Sequence, residues 1–424
     1  MLRFIILSRL LFSSVHVQSQ ILPAISESEV ARVVKALASD SMQGRQVFTP
    51  GIEKAAVFIM NEFKDAGLKN LPGADSYRQS FTMVTPELTE VIATMDGTVI
   101  DEKNIVPFTA DSVIDISVAS HYKKILVKNQ NDLGKAFLTY LESDQNVLIL
   151  VDTSLAKRFA RLANLHMPQF EGCGNRVFIL TATDPKSYHI QVKQAITKKN
   201  LSNLVGIIPG KLKPAEYVIF SAHYDHLGIG RPNAAGDSIF NGANDDASGT
   251  TAVITLARYF SKIHDNERTL IFAAFTAEEI GEFGSTYFSK KLDPDKVVAM
   301  LNIEMIGTES KWGKNSAYIT GYDKSDVGTF LQKNLINSQF KFYSDPYPDQ
   351  MLFLRSDNAS LAKNGVPAHT LSTSKMDVEK YYHTQGDCVE TLDLQNMTEI
   401  IRAIGLSAGS IISGKDTPKR VKGD

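Results

Sequence analysis

Apolar positions recur at helical spacing in two stretches near the start of the chain. In residues 26–37, Val30, Val33, Val34 and Leu37 fall on one stripe with a serine available as a cap. After a polar loop at 38–45, Thr49-Pro50-Gly51 leads into residues 53–66, where Ala56, Phe58, Ile59 and Phe63 form a second stripe that Gly67 stops. From residue 204 onward, where a further strand is expected at 366–371, the pattern changes to short, largely apolar runs at 204–208, 217–222, 270–275 and 297–303. Such runs belong to strands covered on both faces. A helical stripe of Val253, Leu256, Phe260 and Ile263 separates two of them, and residues 399–412 predict a closing helix. The expected fold class is α/β, a three-layer αβα sandwich around a mixed, mostly parallel sheet.

Residues 91–190 have a different character. Asp96-Gly97 between the alternating stretches 90–95 and 98–100 predicts a hairpin, with further strands at 113–118 and 146–151 and helices at 132–142 and 154–165. This reads as an inserted mixed α/β accessory domain without chemistry of its own. His121, His166 and His189 lie in it without ligand-like neighbours and are expected as surface or core residues. The catalytic domain is then residues 20–90 and 191–415, with a tail at 416–424 read as a solvated terminus.

Residues 1–19 join a positive start to a short apolar run and a small residue, the pattern of a signal peptide, so the protein is expected to be exported, periplasmic or extracellular. No later run reaches the roughly 18 apolar residues of a membrane span. A formal net charge of −2 and a pI near 6.5 give no overall pull toward nucleic acid or anionic lipid. Cys173 and Cys388 are too few for a disulfide framework; one bridge is conceivable in an oxidising compartment, and unpaired cysteines are the plainer reading.

The chemistry concentrates where three apolar strands end. His223-Tyr-Asp225-His226 follows the first, Glu278-Glu279 the second and Glu304 the third, a layout that places ligands at the carboxyl edge of an open sheet. Between them, Asn241-Gly-Ala-Asn-Asp245-Asp246-Ala-Ser-Gly249 brings two carboxylates into a turn of small residues. Imidazoles and carboxylates in this concentration suit a divalent metal. His223 supplies an imidazole, Asp225 is near enough to orient its ring, and Asp245 is placed to bridge two ions. Glu279 binds metal while Glu278 stays free to take a proton, and Glu304 and His383, in Tyr381-Tyr382-His383-Thr384, complete the ligands. His226 reads as a pocket or structural residue, and Ser356-Asp357 either lines the site or caps a turn.

Taken in order, His223-x-Asp225, Asn241 to Gly249, Ala277-Glu278-Glu279, Asn302-Ile-Glu304 and Tyr382-His383-Thr384 resemble the co-catalytic zinc peptidases, the family of bacterial leucyl aminopeptidases, glutamate carboxypeptidases and the catalytically silent transferrin receptors. The resemblance covers most of residues 28–90 and 200–412. It implies a zinc-exopeptidase fold, two zinc ions held by His223, Asp245, Glu279, Glu304 and His383, Glu278 as base, Asp225 supporting the ligands and a cis peptide between Asp245 and Asp246. Peptides are the implied substrates, with an aminopeptidase as the leading activity; a carboxypeptidase, a single-zinc glutaminyl cyclase and a silent binding module are the alternatives. Two positions depart from the pattern: Glu304 stands where many aminopeptidases have aspartate, and Asn244 where the neighbour of the bridge is often acidic. The insert resembles a protease-associated domain only in position and mixed pattern, and the oligomeric state is not legible.

Overall fold

The computed structural model describes residues 25–141, 143–165 and 167–421. The expected leader at 1–19, and His166, lie outside the described residues.

Both N-terminal stripes are helices. Glu27–Leu37 buries Val30, Val33, Val34 and Leu37, and the Ser26 hydroxyl accepts from the amide of Glu29 at its start, a cap that contributes about 1 kcal/mol. Pro50–Asp65 buries Ala56, Ile59 and Phe63, with Pro50 at its first turn, where a missing N–H costs nothing. These helices pack with Gly249–Ile263 and Leu394–Ser407 against one face of the sheet. Phe283–Lys290 and Ala359–Ala362 bring Phe288, Leu361 and Ala362 to the other face.

The main sheet has 11 strands. At its centre Lys213–His223 lies parallel to both Arg268–Phe275 and Val297–Ile303, and Val297–Ile303 parallel to Ala368–Ser372. All four are buried where they enter the core because both faces are covered; the first three are largely apolar there, while Ala368–Ser372 also buries His369, Thr370 and Ser372. Beyond Arg268–Phe275 the pairing turns antiparallel through Tyr188–Ile208 and Arg78–Met95. Those two strands pair from Arg78↔Leu204 to Met95↔Tyr188, so positions 91 and 190, where the insert was expected to begin and end, sit inside one continuous ladder. The alternating pattern of a long half-exposed ribbon carries no mark at such a junction. A second sheet of four strands, Ile105–Phe108, Arg176–Leu180, Val147–Val151 and Lys123–Val127, with helices Gln130–Leu141 and Ala156–Leu162, forms the rest of the insert.

The tail is not a solvated terminus as far as it is described. Arg420 Nη1 donates to the carbonyls of Pro294 and Val297, both at 3.0 Å, and Val421 is buried. Main-chain carbonyls at the end of the helical turn Pro294–Lys296 give the basic residue a partner that charge counting does not reveal. Among the described residues no helix is long and apolar enough to cross a membrane.

Candidate metal centre

Three strands deliver the site as their lengths dictate. Lys213–His223 ends on His223, Arg268–Phe275 stops three residues before Glu278, and Val297–Ile303 stops one before Glu304. The fourth contribution is the segment Ala243–Ser248, a wide helical turn broken at Asp245 and Asp246 by non-helical dihedrals, whose Asp245–Asp246 peptide is cis. A Cβ on Gly249 would lie 2.1 Å from the carbonyl oxygen of Ile303, so only glycine lets this turn approach the strand that carries Glu304.

The five expected ligands converge. His223 Nε2 is 3.2 Å from Asp245 Oδ1 and 3.2 Å from Glu304 Oε1. On the other side, His383 Nε2 is 3.2 Å from Asp245 Oδ2 and 3.1 Å from Glu279 Oε2. Asp245 thus offers one oxygen to each of two donor sets. The bridge expected from the sequence corresponds to this placement. His383 reaches the site from a left-handed backbone position, φ 56°, on a loop anchored at Asp387. Glu304 keeps one oxygen toward His223 and accepts from the Ser356 hydroxyl with the other at 2.9 Å. Its extra methylene therefore does not carry it away from the cluster, and of the pair Ser356-Asp357 the serine lines the site.

Asp225 lies against the ligands, but not through a carboxylate–imidazole bond to His223. Its carboxylate is 3.8 Å from His223 Nδ1, too far for a hydrogen bond, and the ring instead meets the Asp225 backbone carbonyl at 3.1 Å. The carboxylate accepts from the amides of Glu278 and Glu279 at 3.2 and 3.4 Å, so it holds the turn that carries them. Burial pushes its pKa up to about 6. Asp246 stands apart from the metal ligands: its Oδ1 accepts from the amides of Gly249 and Met305, both at 3.0 Å. Asn244 likewise is structural, accepting from the Gly307 amide at 2.8 Å.

Glu278 and Glu279 have separate environments although they are neighbours. Burial raises the Glu279 carboxyl, but hydrogen bonds with His226 and His383 outweigh it and hold the group below the ordinary carboxylate value. Glu278 lines the open pocket and has no hydrogen-bonded partner for its carboxylate among the described residues. Burial, then the charges of Glu304, Asp357 and Glu279, push it well above the ordinary range against the pull of His223. One carboxylate is tied as a ligand and the next is free to exchange a proton, which is the division metal-assisted hydrolysis requires.

The donor set fits divalent zinc. Imidazole nitrogens and carboxylate oxygens are its oxygen–nitrogen ligands, and the Oδ2 of Asp245 is buried without a hydrogen-bond partner between His383 and Glu279. Asp245, Glu278, Glu279 and Glu304 crowd a pocket in which Arg355 is the one Lys or Arg side chain. Positive charge at the centre is what this arrangement lacks.

Three further residues support the ligands, and the sequence assigns neither Asp387 nor Arg45 this role. His226 Nδ1 meets Glu279 Oε1 at 2.6 Å and lies 3.8 Å from Asp245 Oδ2, so His226, Asp245 and Glu279 form a donor trio of their own. Asp387 accepts from the amides of Asn244 and Asp245 at 2.7 and 3.0 Å, and burial raises its pKa to about 6. Arg45 is fully buried and donates to the carbonyls of Leu37, Tyr224, Asn241 and Gly242 at 2.6–2.9 Å. Of these, His226 stands in the first motif, His223-Tyr-Asp225-His226, where a pocket or structural residue was expected. Tyr382 stacks on His383 with ring centroids 3.9 Å apart, and Met305 lines the pocket, whereas Phe283 packs away from it among Phe81, Phe170 and Ala277. His189 pairs with Asp115 on the surface, and both cysteines are free thiols.

Residues 203–407 match the description of peptidase family M28. Aminopeptidase YwaD of Bacillus subtilis is 24% identical over 258 residues, 57% of this chain and 51% of that one, so the chain spans about half the length of that relative. Among solved structures, a zinc aminopeptidase from Bacillus subtilis superposes with a TM-score of 0.56 at 17% identity, covering 96% of this chain and 100% of its own. The glutaminyl cyclase of Porphyromonas gingivalis superposes with a TM-score of 0.51 at 12% identity, over 91% and 99% of the two chains. At such identities these are likenesses of fold.

Proposed function

We propose that this chain, which belongs to peptidase family M28 through residues 203–407, is a zinc-dependent aminopeptidase that hydrolyses the N-terminal bond of peptides with two zinc ions and Glu278 as general base. The observation that carries the reading is the sharing of Asp245, one oxygen toward His223 and Glu304 and the other toward His383 and Glu279. Zinc held there supplies a Lewis acid for the scissile carbonyl and lowers the pKa of water. Glu278 then takes the water proton and passes it to the leaving amine, the role its raised pKa and lack of hydrogen-bonded partners suit. Asp225 holds Glu278 in place through its backbone amide. Tyr382, half-exposed beside His383, is positioned to donate to the developing oxyanion. Export rests on the leader-like residues 1–19.

The test is zinc content per chain together with turnover of aminoacyl and peptide substrates, with the amino terminus free or blocked. Two zinc ions, cleavage of the free series alone, and a Glu278→Gln protein that keeps its zinc but loses about 10²–10⁴-fold in kcat are expected. Retained activity in Glu278→Gln overturns the mechanism. One zinc per chain with cyclisation of N-terminal glutamine and no hydrolysis replaces the reading with a glutaminyl cyclase. Amino-terminal sequencing of the protein recovered outside the cytoplasm checks export; an intact residue 1 retained inside the cell refutes it.

A further inference from the structure

The pocket beside the metal centre is a cavity of about 70 Å³ whose charge is divided. Its carboxylates, Asp245, Glu278, Glu279 and Glu304, all lie on the metal side. The rest of the lining is neutral, apolar at Leu352 and Met376 and hydroxyl-bearing at Ser372 and Ser374, except for Arg355. Two partly or fully solvent-shielded arginines elsewhere in this fold meet acids: Arg258 meets Glu62 at 2.7 Å and Arg268 meets Glu216 at 2.6 Å. Arg355 meets none among the described residues. Its hydrogen bonds are two long ones, 3.4 Å from Nη1 to the backbone and side-chain oxygens of Gln350, and the residue is exposed at the pocket mouth.

The backbone under Arg355 is held firmly. Ser356 donates to Glu304 Oε2 at 2.9 Å and accepts from Asn302 Nδ2 at 2.8 Å, while Asn358 Nδ2 donates to the carbonyls of Phe353 and Ala368 at 2.8 and 3.2 Å. The guanidinium therefore projects from a fixed point one residue away from a side chain bonded to a candidate metal ligand. A planar five-donor fork without an acid, set on a rigid base at the mouth of a reaction pocket, matches a carboxylate of the substrate, which offers two coplanar acceptors.

We infer that Arg355 anchors a substrate carboxylate, so that the preferred substrates are peptides carrying a free carboxylate close to the scissile bond. This deepens the aminopeptidase reading and rests on it. The carboxylate has two possible sources, the C-terminus of a di- or tripeptide and the side chain of an aspartate or glutamate next to the cleaved bond. Recognition is the same in both.

Two substrate pairs separate the sources for the zinc-loaded full chain: Leu-Leu against Leu-Leu-amide, and Leu-Glu-amide against Leu-Gln-amide. In the wild-type protein the acid member of at least one pair is expected to have a kcat/KM about tenfold higher or more, the scale of a charge-assisted hydrogen bond at a partly exposed site. Arg355→Gln should bring that ratio to about one, mainly through KM, and Arg355→Lys should restore part of it. Discrimination in the first pair assigns the C-terminus and in the second the side chain. Cleavage of all four peptides with ratios near one, or a ratio unchanged in Arg355→Gln, overturns the inference while leaving the aminopeptidase reading intact. Should no peptide be cleaved, that reading fails first. The anchor is then judged by the Kd of both pairs for the wild-type and Arg355→Gln proteins, and equal values within each pair in the wild type refute it.

Discussion

His226 Nδ1 lies 2.6 Å from Glu279 Oε1, and the histidine is 1% exposed. The carboxylate that His383 approaches from the loop side is thus gripped by a second imidazole from the strand side, 3.1 Å and 2.6 Å away through its two oxygens. A ligand oriented in this way needs no reorganisation to receive an ion, and groups that orient ligands typically carry 10–100-fold in metal affinity. Under the proposed two-zinc reading, His226→Ala is expected to weaken one zinc step by about 10–100-fold and to leave the step at His223 and Glu304 nearly unchanged. A chelator competition titration reads both steps. Two unaltered affinities would show that the contact is idle.

The same residue marks the limit of what the chain discloses along its length. His223, Glu278, Glu279 and Glu304 were legible because each follows an apolar run, and a strand that ends abruptly in an imidazole or carboxylate has little other use for it. His226 follows the same strand in the same motif, but its partner is 53 positions away and no periodicity connects them. The layered sheet was legible for the reason that buried strands are largely apolar runs. The long ribbon of Arg78–Met95 and Tyr188–Ile208 was not, since its exposed half is polar and its pairing spans more than 100 residues. Arg45 is the sharpest case: a charged residue in a glycine-containing polar stretch reads as solvated, and only the fold reveals four carbonyls arranged around it.

That arrangement makes Arg45 a test of how the metal-binding turn is held. Arg45→Met keeps much of the volume but takes the guanidinium from the carbonyls of Leu37, Tyr224 and Asn241, and from that of Gly242, which keeps the Ala247 amide at 3.2 Å. Buried acceptors left unpaired cost about 1–3 kcal/mol each, reduced where water enters, so a loss on the order of 3–5 kcal/mol is expected. Urea unfolding of the zinc-loaded protein measures it. A change below about 1 kcal/mol, the range of an ordinary surface substitution, would refute a structural role for these bonds.

The insert packs against the turn that carries Glu278 and Glu279. Met167 and Phe170 pack in a cluster with Ala277, Ile280 and Phe283, which flank Glu278 and Glu279, and the Phe170 and Phe283 rings meet edge to face at 5.3 Å. Phe170→Ala removes that support. Because Phe170 is only partly buried, the expected cost is about 2–3 kcal/mol, at the low end for an aromatic truncation. The functional effect should exceed the loss of folded protein: kcat per folded, zinc-saturated molecule falls several-fold as the Glu278 turn loosens. Unchanged kcat per folded molecule would confine the contact to stability.

A last prediction concerns pH and a histidine away from the metal ligands. His369 is 1% exposed, with Nδ1 at 2.8 Å from the Thr320 carbonyl and Nε2 at 2.6 Å from the Ser325 hydroxyl. The first contact requires the proton on Nδ1, and the hydroxyl then donates to a bare Nε2, so the ring is buried neutral. Burial holds its pKa below the ordinary imidazole value, despite the opposing bond to Thr320 and the charge of Asp323. The unfolded chain then takes up a proton near pH 6.5 while the folded one does not, and stability rises with pH wherever the unfolded state binds more protons. The contribution is complete above about pH 6.5 and is lost as pH falls toward the depressed folded value, by at most about 1.4 kcal/mol per pH unit. His369→Gln removes this slope whatever its own stability. Zinc binding adds a pH dependence common to both proteins, so the quantity to measure is the difference between their urea-unfolding free energies from pH 7.5 down to 5.5. That difference should narrow as the pH falls if the wild type starts more stable, or widen in the variant's favour if it does not; parallel curves would show that His369 is protonated alike in the folded and unfolded chain.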